Sequence, residues 1–467
     1  MNFIGRQTEL GILNERFNSS RAEFMVIYGR RRIGKTELVK KIISEHGGII
    51  LMGREESKKL GLQRFSRLLG EYFKDEFLEK QGFNNWDAFF EYIYTRSKNN
   101  RIIIALDEFP YLVKDEKSLP SILQDYWDNK LRDTRIFLII LGSSVSMMER
   151  LLGYKSPLYG RRTGQLKLMP LEFKDVALHV KDIERAVEFY SVFGGTPAYI
   201  TEVDTSKDII GNIKEKFLRI DSFIYQDVRF VLMEELEEPR YYFSILEAIA
   251  AGNVSFGDIM NYTGLERSIV GKYINVLIEL DLIRRELPIT APAKTKKGSY
   301  SFKDNIFTFW FGFIYPYEDL ISMGRSEEVL SRISRDLNSL TGKVFVEISK
   351  EFLWQINGTD FNFTRMGRWW YKGEEIDIVA LNEESKEITL FECKWSVLKE
   401  KEVERILADL KGKASQVKWH NAERKEHFGI IAKNIEGKRT FKKKGYHAFD
   451  LEDFEAAIIG RESTNPQ

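Results

Sequence analysis

Residues 29–36 read GRRRIGKT, a G-x-x-x-x-G-K-[ST] pattern between the apolar run FMVIY and the helical ELVKKIISEH. That order of strand, glycine loop and helix suits the binding of phosphate. Gly29 and Gly34 let the backbone wrap closely, so the N–H groups from Gly29, Arg30, Arg31, Arg32, Ile33 and Gly34 into Glu37 point at negative charge. Lys35 would reach the β- and γ-phosphates of ATP, and Thr36 would offer its hydroxyl to Mg²⁺. LDEFP (106–110) ends a second apolar run, with Asp107 placed to hold Mg²⁺ and Glu108 to polarise an attacking water. A third run ends in GSS (142–144), where Ser143 or Ser144 either senses the γ-phosphate or caps the helix VSMMERLL. In YGRRTG (159–164), Arg161 or Arg162 is either an arginine finger toward a neighbouring subunit or part of a solvated basic turn.

A second set lies near the far end, in EITLFECKWS (387–396). Glu392 and Lys394 are two residues apart and share one face of a strand, while Cys393 points to the other face. GEEIDIVALN (373–382) precedes it across the turn NEESK, so a hairpin brings Asp377 near Glu392. Two adjacent carboxylates repel, and a divalent metal relieves the repulsion. Such a metal activates water against a phosphodiester, with Lys394 orienting the water or neutralising charge. The other reading is a surface Glu–Lys pair on an edge strand, worth little to stability.

These residues need elements to hold them. FMVIYG, RIIIALD (101–107) and RIFLIILGSS (135–144) are short apolar runs separated by helical segments, which predicts a parallel α/β sheet. Residues 243–287 predict three helices in a helix-turn-helix layout, with Ile269, Ile274, Leu277 and Leu280 inward on the third. Residues 282–302 predict a wing hairpin. Arg267 and Lys272 on the third helix, with Lys294, Lys296 and Lys297 at the wing tip, could meet DNA, or the module could serve protein contacts alone. Lys411, Lys413 and Gln416 follow the Glu-x-Lys strand and either touch phosphate or form a solvated face.

Composition narrows the setting. The 467 residues are 43% hydrophobic and 30% charged, with net charge +1, so any nucleic-acid surface must be local. No long apolar run predicts a membrane span, and MNFIGRQTEL has no signal-peptide core. One cysteine forbids an internal disulfide and predicts a cytoplasmic protein. The tail RESTNPQ is expected to be disordered.

FIGRQTEL, GRRRIGKT, LDEFP, GSSVSMM, LYGRRTG and FGGTPAYI (193–200), in this order, resemble the archaeal ATPases of the AAA+ superfamily, in its STAND-like branch. The resemblance implies that the N-terminal box Phe3–Glu9 packs beside adenine, and that Gly195-Thr196-Pro197 closes a helical lid, so Pro197 joins the nucleotide contacts. The C-terminal quarter resembles the PD-(D/E)xK nucleases. There the resemblance implies a further metal-ligating Glu on the preceding helix: Glu347 in GKVFVEISKEFL (342–353), with Glu351 the lesser candidate. Ile376 stands where that family carries Pro.

The expected architecture is therefore an AAA+ core (1–171), helical lid (172–240), winged helix (241–302), helical connector (303–341) and nuclease-like α/β domain (342–460). The expected ligands are ATP and Mg²⁺. The expected partners are DNA and, if the arginine finger holds, further copies of the chain. The function expected is an ATP-driven switch that binds DNA and cleaves it through Glu347, Asp377, Glu392 and Lys394. The alternatives are a nucleotide-gated scaffold with an inactive nuclease-like domain, and a winged-helix transcription factor.

Overall fold

The computed structural model describes residues 3–236, 238–292, 294–295, 297–359, 361–458 and 460. Lys296 and the RESTNPQ tail lie outside these residues. The chain forms two compact units, Met1–Pro170 and Leu171–Gln467.

The first unit is built on five parallel strands: β1 Glu23–Tyr28, β2 Ile49–Met52, β3 Ile102–Asp107, β4 Ile136–Gly142 and β5 Gly164–Lys167, in the order β2-β3-β4-β1-β5. Every residue of β1, β3 and β4 is buried. The alternation of side chains sends Phe24, Val26, Ile104, Leu106, Leu138 and Ile140 into one core. Met25, Ile27, Ile103, Ala105, Phe137 and Ile139 enter another on the opposite face. Strands with an apolar core on both sides read as unbroken hydrophobic runs, as the sequence predicts. β2 and β5 lie at the sheet edges and are partly exposed, so they carry no such signal.

The second unit contains helices Pro239–Ala250, Phe256–Thr263 and Arg267–Glu279, then the antiparallel ribbon of β6 Ile283–Glu286 and β7 Ser299–Phe302. This is the layout the sequence predicts there. Ser255 caps the second helix by accepting the Asp258 N–H, and Gly264 ends it in the left-handed region at φ 66°. On the third helix Val270, Tyr273, Ile274 and Leu277 are buried, with Leu280 just beyond its end; Ile269 is only half-buried, one residue off the expected stripe. Arg267, Lys272, Lys294 and Lys297 are exposed.

A 30-residue helix, Ser326–Gln355, runs unbroken through position 341/342, where the sequence places a boundary. It covers a sheet of β8 Arg365–Tyr371, β9 Glu374–Asn382, β10 Glu387–Leu398, β11 Lys425–Ile435 and β12 His447–Phe449. Their order is β12-β11-β10-β9-β8, with β8, β9 and β10 antiparallel and β10, β11 and β12 parallel. Phe345, Ile348 and Phe352 of the long helix share a core with Phe391, Cys393 and Trp395. Helix Glu400–Ala414 packs Leu410 and Ala414 on Val379, Leu381, Ile388 and Leu390 of the opposite face. Among the described residues, no helix is long and apolar enough to cross a membrane.

Candidate functional site

At the carboxyl end of the first sheet, the loop after β1 enters helix Lys35–His46 through Gly29 (φ 153°), Arg32 (φ 67°) and Gly34 (φ 88°). A Cβ on Gly29 would come 2.4 Å from the Leu168 carbonyl oxygen, so only glycine fits there. Lys35 is buried, and its Nζ donates to the carbonyls of Gly29 and Arg30 at 2.9 Å each, folding the ammonium back over the loop. Thr36 Oγ1 donates to Asp107 Oδ2 at 2.6 Å, joining the loop to β3. Burial pushes the Asp107 carboxyl up, the Thr36 hydrogen bond opposes it, and the Glu108 charge adds to the rise.

Glu108 caps helix Phe109–Asp115 from the left-handed region at φ 50°. Such strain in a non-glycine residue costs on the order of 1 kcal/mol and clusters at functional positions. Its Oε2 accepts from the Ser143 hydroxyl at 2.8 Å and the Ser143 N–H at 3.3 Å. Ser144 instead caps helix Val145–Leu152. Ser144 thus takes the helix-cap reading of GSS, while Ser143 is bonded to the acid.

The rest of the loop is spread around this centre. Ile33 is buried, and its carbonyl accepts from Arg6 Nη2 at 3.1 Å. The same Arg6 nitrogen donates to the Met169 carbonyl at 2.5 Å, so the N-terminal box grips the loop from behind, a role sequence reasoning missed. Arg30 is buried, and Arg31 donates to the Tyr111 hydroxyl at 2.8 Å. Arg32 is exposed, and Glu37 is exposed in a pair with Lys40 at 2.7 Å, on the flank of the helix. Arg161 pairs with Asp128 at 2.8 Å, and Arg162 donates to the Leu152 carbonyl at 3.2 Å.

Pro197 belongs to the second unit, where it opens the short helix Pro197–Ile200. The turn before it is held by buried Asp304, which accepts from the Gly195 N–H at 3.0 Å and the Thr196 hydroxyl at 2.6 Å.

The second constellation forms on β9 and β10. Their pairing ends at Phe391 with Ile378, and just beyond it Asp377 Oδ2 accepts the Cys393 N–H at 2.9 Å. Glu392 Oε1 accepts from Lys394 Nζ at 2.8 Å. Burial pushes Asp377 up; burial, then the charge of Asp377, pushes Glu392 up. Desolvation works against the Lys394 ammonium, but the bond to Glu392 and the charges of Glu392 and Asp377 together outweigh it and raise the lysine. Cys393 lies buried in the core on the other face, as the alternation requires.

Glu347 departs from expectation. Its Oε1 accepts from Lys350 Nζ at 2.6 Å and its Oε2 from Arg284 Nη2 at 2.6 Å. Desolvation alone would raise this carboxyl; the Lys350 and Arg284 charges outweigh it and hold it below its usual range. Among the described residues no three His, Cys, Asp or Glu side chains are gathered to hold a metal. The expected trio Glu347, Asp377 and Glu392 is therefore not assembled, because two cations occupy both oxygens of Glu347. Glu351, the lesser candidate, faces elsewhere: its Oε2 accepts the Phe173 N–H at 2.8 Å, and burial pushes it up to about 8. Asp377 and Glu392 alone have the hard oxygens and mutual repulsion that suit a divalent cation.

Sequence reasoning missed Arg284, whose charge acts on Glu347, and Arg368, whose charge acts on both Glu347 and Asp377. Only Lys350, three residues after Glu347, had a readable spacing. Lys413 pairs with Asp409 at 3.0 Å while its charge is felt by Glu392. Lys411 donates to the Tyr446 hydroxyl at 2.7 Å, and Gln416 is exposed.

Residues 3–203 match a family described as an ATPase domain predominantly from Archaea, and residues 310–406 match one described as archaeal and bacterial proteins of unknown function. An uncharacterized protein of Methanocaldococcus jannaschii is 39% identical over 465 residues, covering 97% of this chain and 100% of that protein. The chain belongs to the same archaeal family as that protein, with an archaeal ATPase domain over residues 3–203. A second uncharacterized M. jannaschii protein is 26% identical to this ATPase over 310 residues, 59% of this chain and 58% of that one. Among solved structures, the Walker-type ATPase of Pyrococcus abyssi aligns with TM-score 0.47 at 19% identity, over 66% of this chain and 96% of that one. The ORC2 protein of Aeropyrum pernix aligns with TM-score 0.44 at 14% identity, over 70% and 97%. At such scores neither likeness adds to the fold described above. The first unit of the ATPase is a nucleotide-binding ATPase domain.

Proposed function

We propose that this ATPase is an ATP-driven switch whose second unit binds DNA and hydrolyses phosphodiesters with a divalent cation. In the first unit Lys35 swings from its two carbonyls onto the β- and γ-phosphates, and the amides from Gly29 to Gly34 cradle them. Thr36 and Asp107, already hydrogen-bonded to each other, hold the nucleotide's Mg²⁺. Glu108 polarises the attacking water once Ser143 releases it, and Pro197 anchors the lid turn. The lid and winged helix carry nucleotide state to the DNA-facing parts.

The observation that carries the nuclease part is the convergence of Asp377, Glu392 and Lys394 at the end of the β9–β10 ladder. A divalent cation there would relieve the repulsion of the two carboxylates and stabilise the charge that builds on phosphorus. Asp377 is fixed by the Cys393 amide, so its remaining oxygen is presented without rotamer freedom. Lys394 neutralises charge on the phosphate or orients the incoming water.

A second reading is favoured by one specific observation. With Glu347 bound to Arg284 and Lys350, the domain resembles a binding module that lacks a complete metal site. One experiment separates the two. Supercoiled and linear DNA are incubated with the purified ATPase and Mg²⁺ or Mn²⁺, with and without ATP, beside Lys394→Ala and Lys35→Ala. Cleavage by wild type, lost in Lys394→Ala with ATPase intact, is expected. Dependence on ATP that disappears in Lys35→Ala would couple the units. No cleavage under any condition, with ATPase intact, would leave the binding module as the function.

A further inference from the structure

Arg284 lies on β6 and links the ribbon to Glu347 on the long helix. Its Nε donates to Ser301 Oγ on β7 at 3.1 Å and pairs with Glu286 at 2.9 Å, which fixes the side chain to the ribbon. Its Nη2 reaches Glu347 on the long helix at 2.6 Å. The other oxygen of Glu347 is held by Lys350 at 2.6 Å. A divalent cation seeking Glu347 therefore meets two positive groups at contact distance, and Asp377 and Glu392 are left as an incomplete pair.

The guanidinium fork fits phosphate as well as carboxylate. Of the two cations on Glu347, Arg284 is the more open, with its side chain 35% exposed against 15% for Lys350. It also sits at the base of the loop that carries exposed Lys294 and Lys297, which attract a polyanion to the same ribbon.

We propose that Arg284 exchanges Glu347 for a DNA phosphate, and that this exchange frees Glu347 to complete a divalent-cation site with Asp377 and Glu392. The inference rests on the nuclease-like reading of that site. DNA bound on the ribbon takes Arg284 as a phosphate contact, and the released carboxylate turns to the cation. Without DNA the same arginine keeps the site from charging with metal, so the ribbon both delivers the substrate contact and withholds the third ligand.

The test measures Mn²⁺ binding by electron paramagnetic resonance on the full chain without nucleotide, and counts only the binding lost in Asp377→Asn. Arg284→Gln is expected to bind Mn²⁺ about tenfold more tightly than wild type. A short DNA duplex is expected to raise wild-type affinity to the same level while adding little to Arg284→Gln. Circular dichroism checks that the variant is folded; if it is not, wild type with and without duplex decides alone. Asp377-dependent Mn²⁺ binding that ignores both Arg284→Gln and DNA overturns the exchange and leaves the nuclease-like reading standing. No Asp377-dependent binding in any protein overturns both.

Discussion

Glu351 allows a prediction whose size follows from the structure. Its carboxyl accepts the Phe173 N–H at 2.8 Å at the start of helix Phe173–Val180, among Glu172, Glu347 and Tyr190. Burial first, then the Glu172 and Glu347 charges, push it to about 8 from an ordinary 4.5. The folded chain keeps this proton longer than the unfolded chain. The contribution to stability is therefore complete below about pH 4.5 and is lost as pH rises toward about 8. At about 1.4 kcal/mol per pH unit, that window is worth about 5 kcal/mol at most. Glu351→Gln keeps an acceptor for Phe173 and cannot ionise. In urea titrations followed by circular dichroism it should match wild type within about 1 kcal/mol at pH 5 and exceed it by about 2–5 kcal/mol at pH 9. An advantage no larger at pH 9 than at pH 5 would refute the assignment of Glu351 as a neutral structural carboxyl.

Two further outcomes are expected. Gly194 lies at φ 66°, and a Cβ there would stand 1.7 Å from Asp304 Oδ1; Gly194→Ala should push Asp304 off the Gly195 amide and Thr196 hydroxyl and destabilise the chain by about 2–4 kcal/mol in denaturant titrations. Ser143→Ala removes the hydroxyl that holds Glu108, so steady-state kinetics should show kcat for ATP changed by about tenfold or more with nucleotide affinity within about twofold.

The legible parts of this chain are those fixed by neighbours in sequence. The phosphate loop follows from glycine backbone freedom and an adjacent strand and helix, all within residues 23–46. The core strands β1, β3 and β4 were readable because burial on both faces leaves an unbroken apolar run. The face shared by Glu392 and Lys394 followed from the period of a strand, and the approach of Asp377 from a hairpin. β8 was not readable: its residues RMGRWWY are mostly half-buried or exposed, with neither an apolar run nor a clean alternation. Glu347 and Glu351 were correctly placed on a helix, but their roles depend on partners 63 and 178 residues away, Arg284 and Phe173. No local pattern encodes such contacts.

The electrostatics of the second site favour a ligand over a relic. Asp377 and Glu392 are largely desolvated and each is pushed toward the neutral form. Such carboxylates cost the fold free energy that apolar side chains of similar size would not. Around them and Glu347 stand Arg284, Lys350, Arg368, Lys394 and Lys413, three of which also pair with other acids: Arg284 with Glu286, Arg368 with Glu375 and Lys413 with Asp409. Under the proposed function, a divalent cation would relieve the repulsion of Asp377 and Glu392, and Lys394 beside them would meet the phosphodiester.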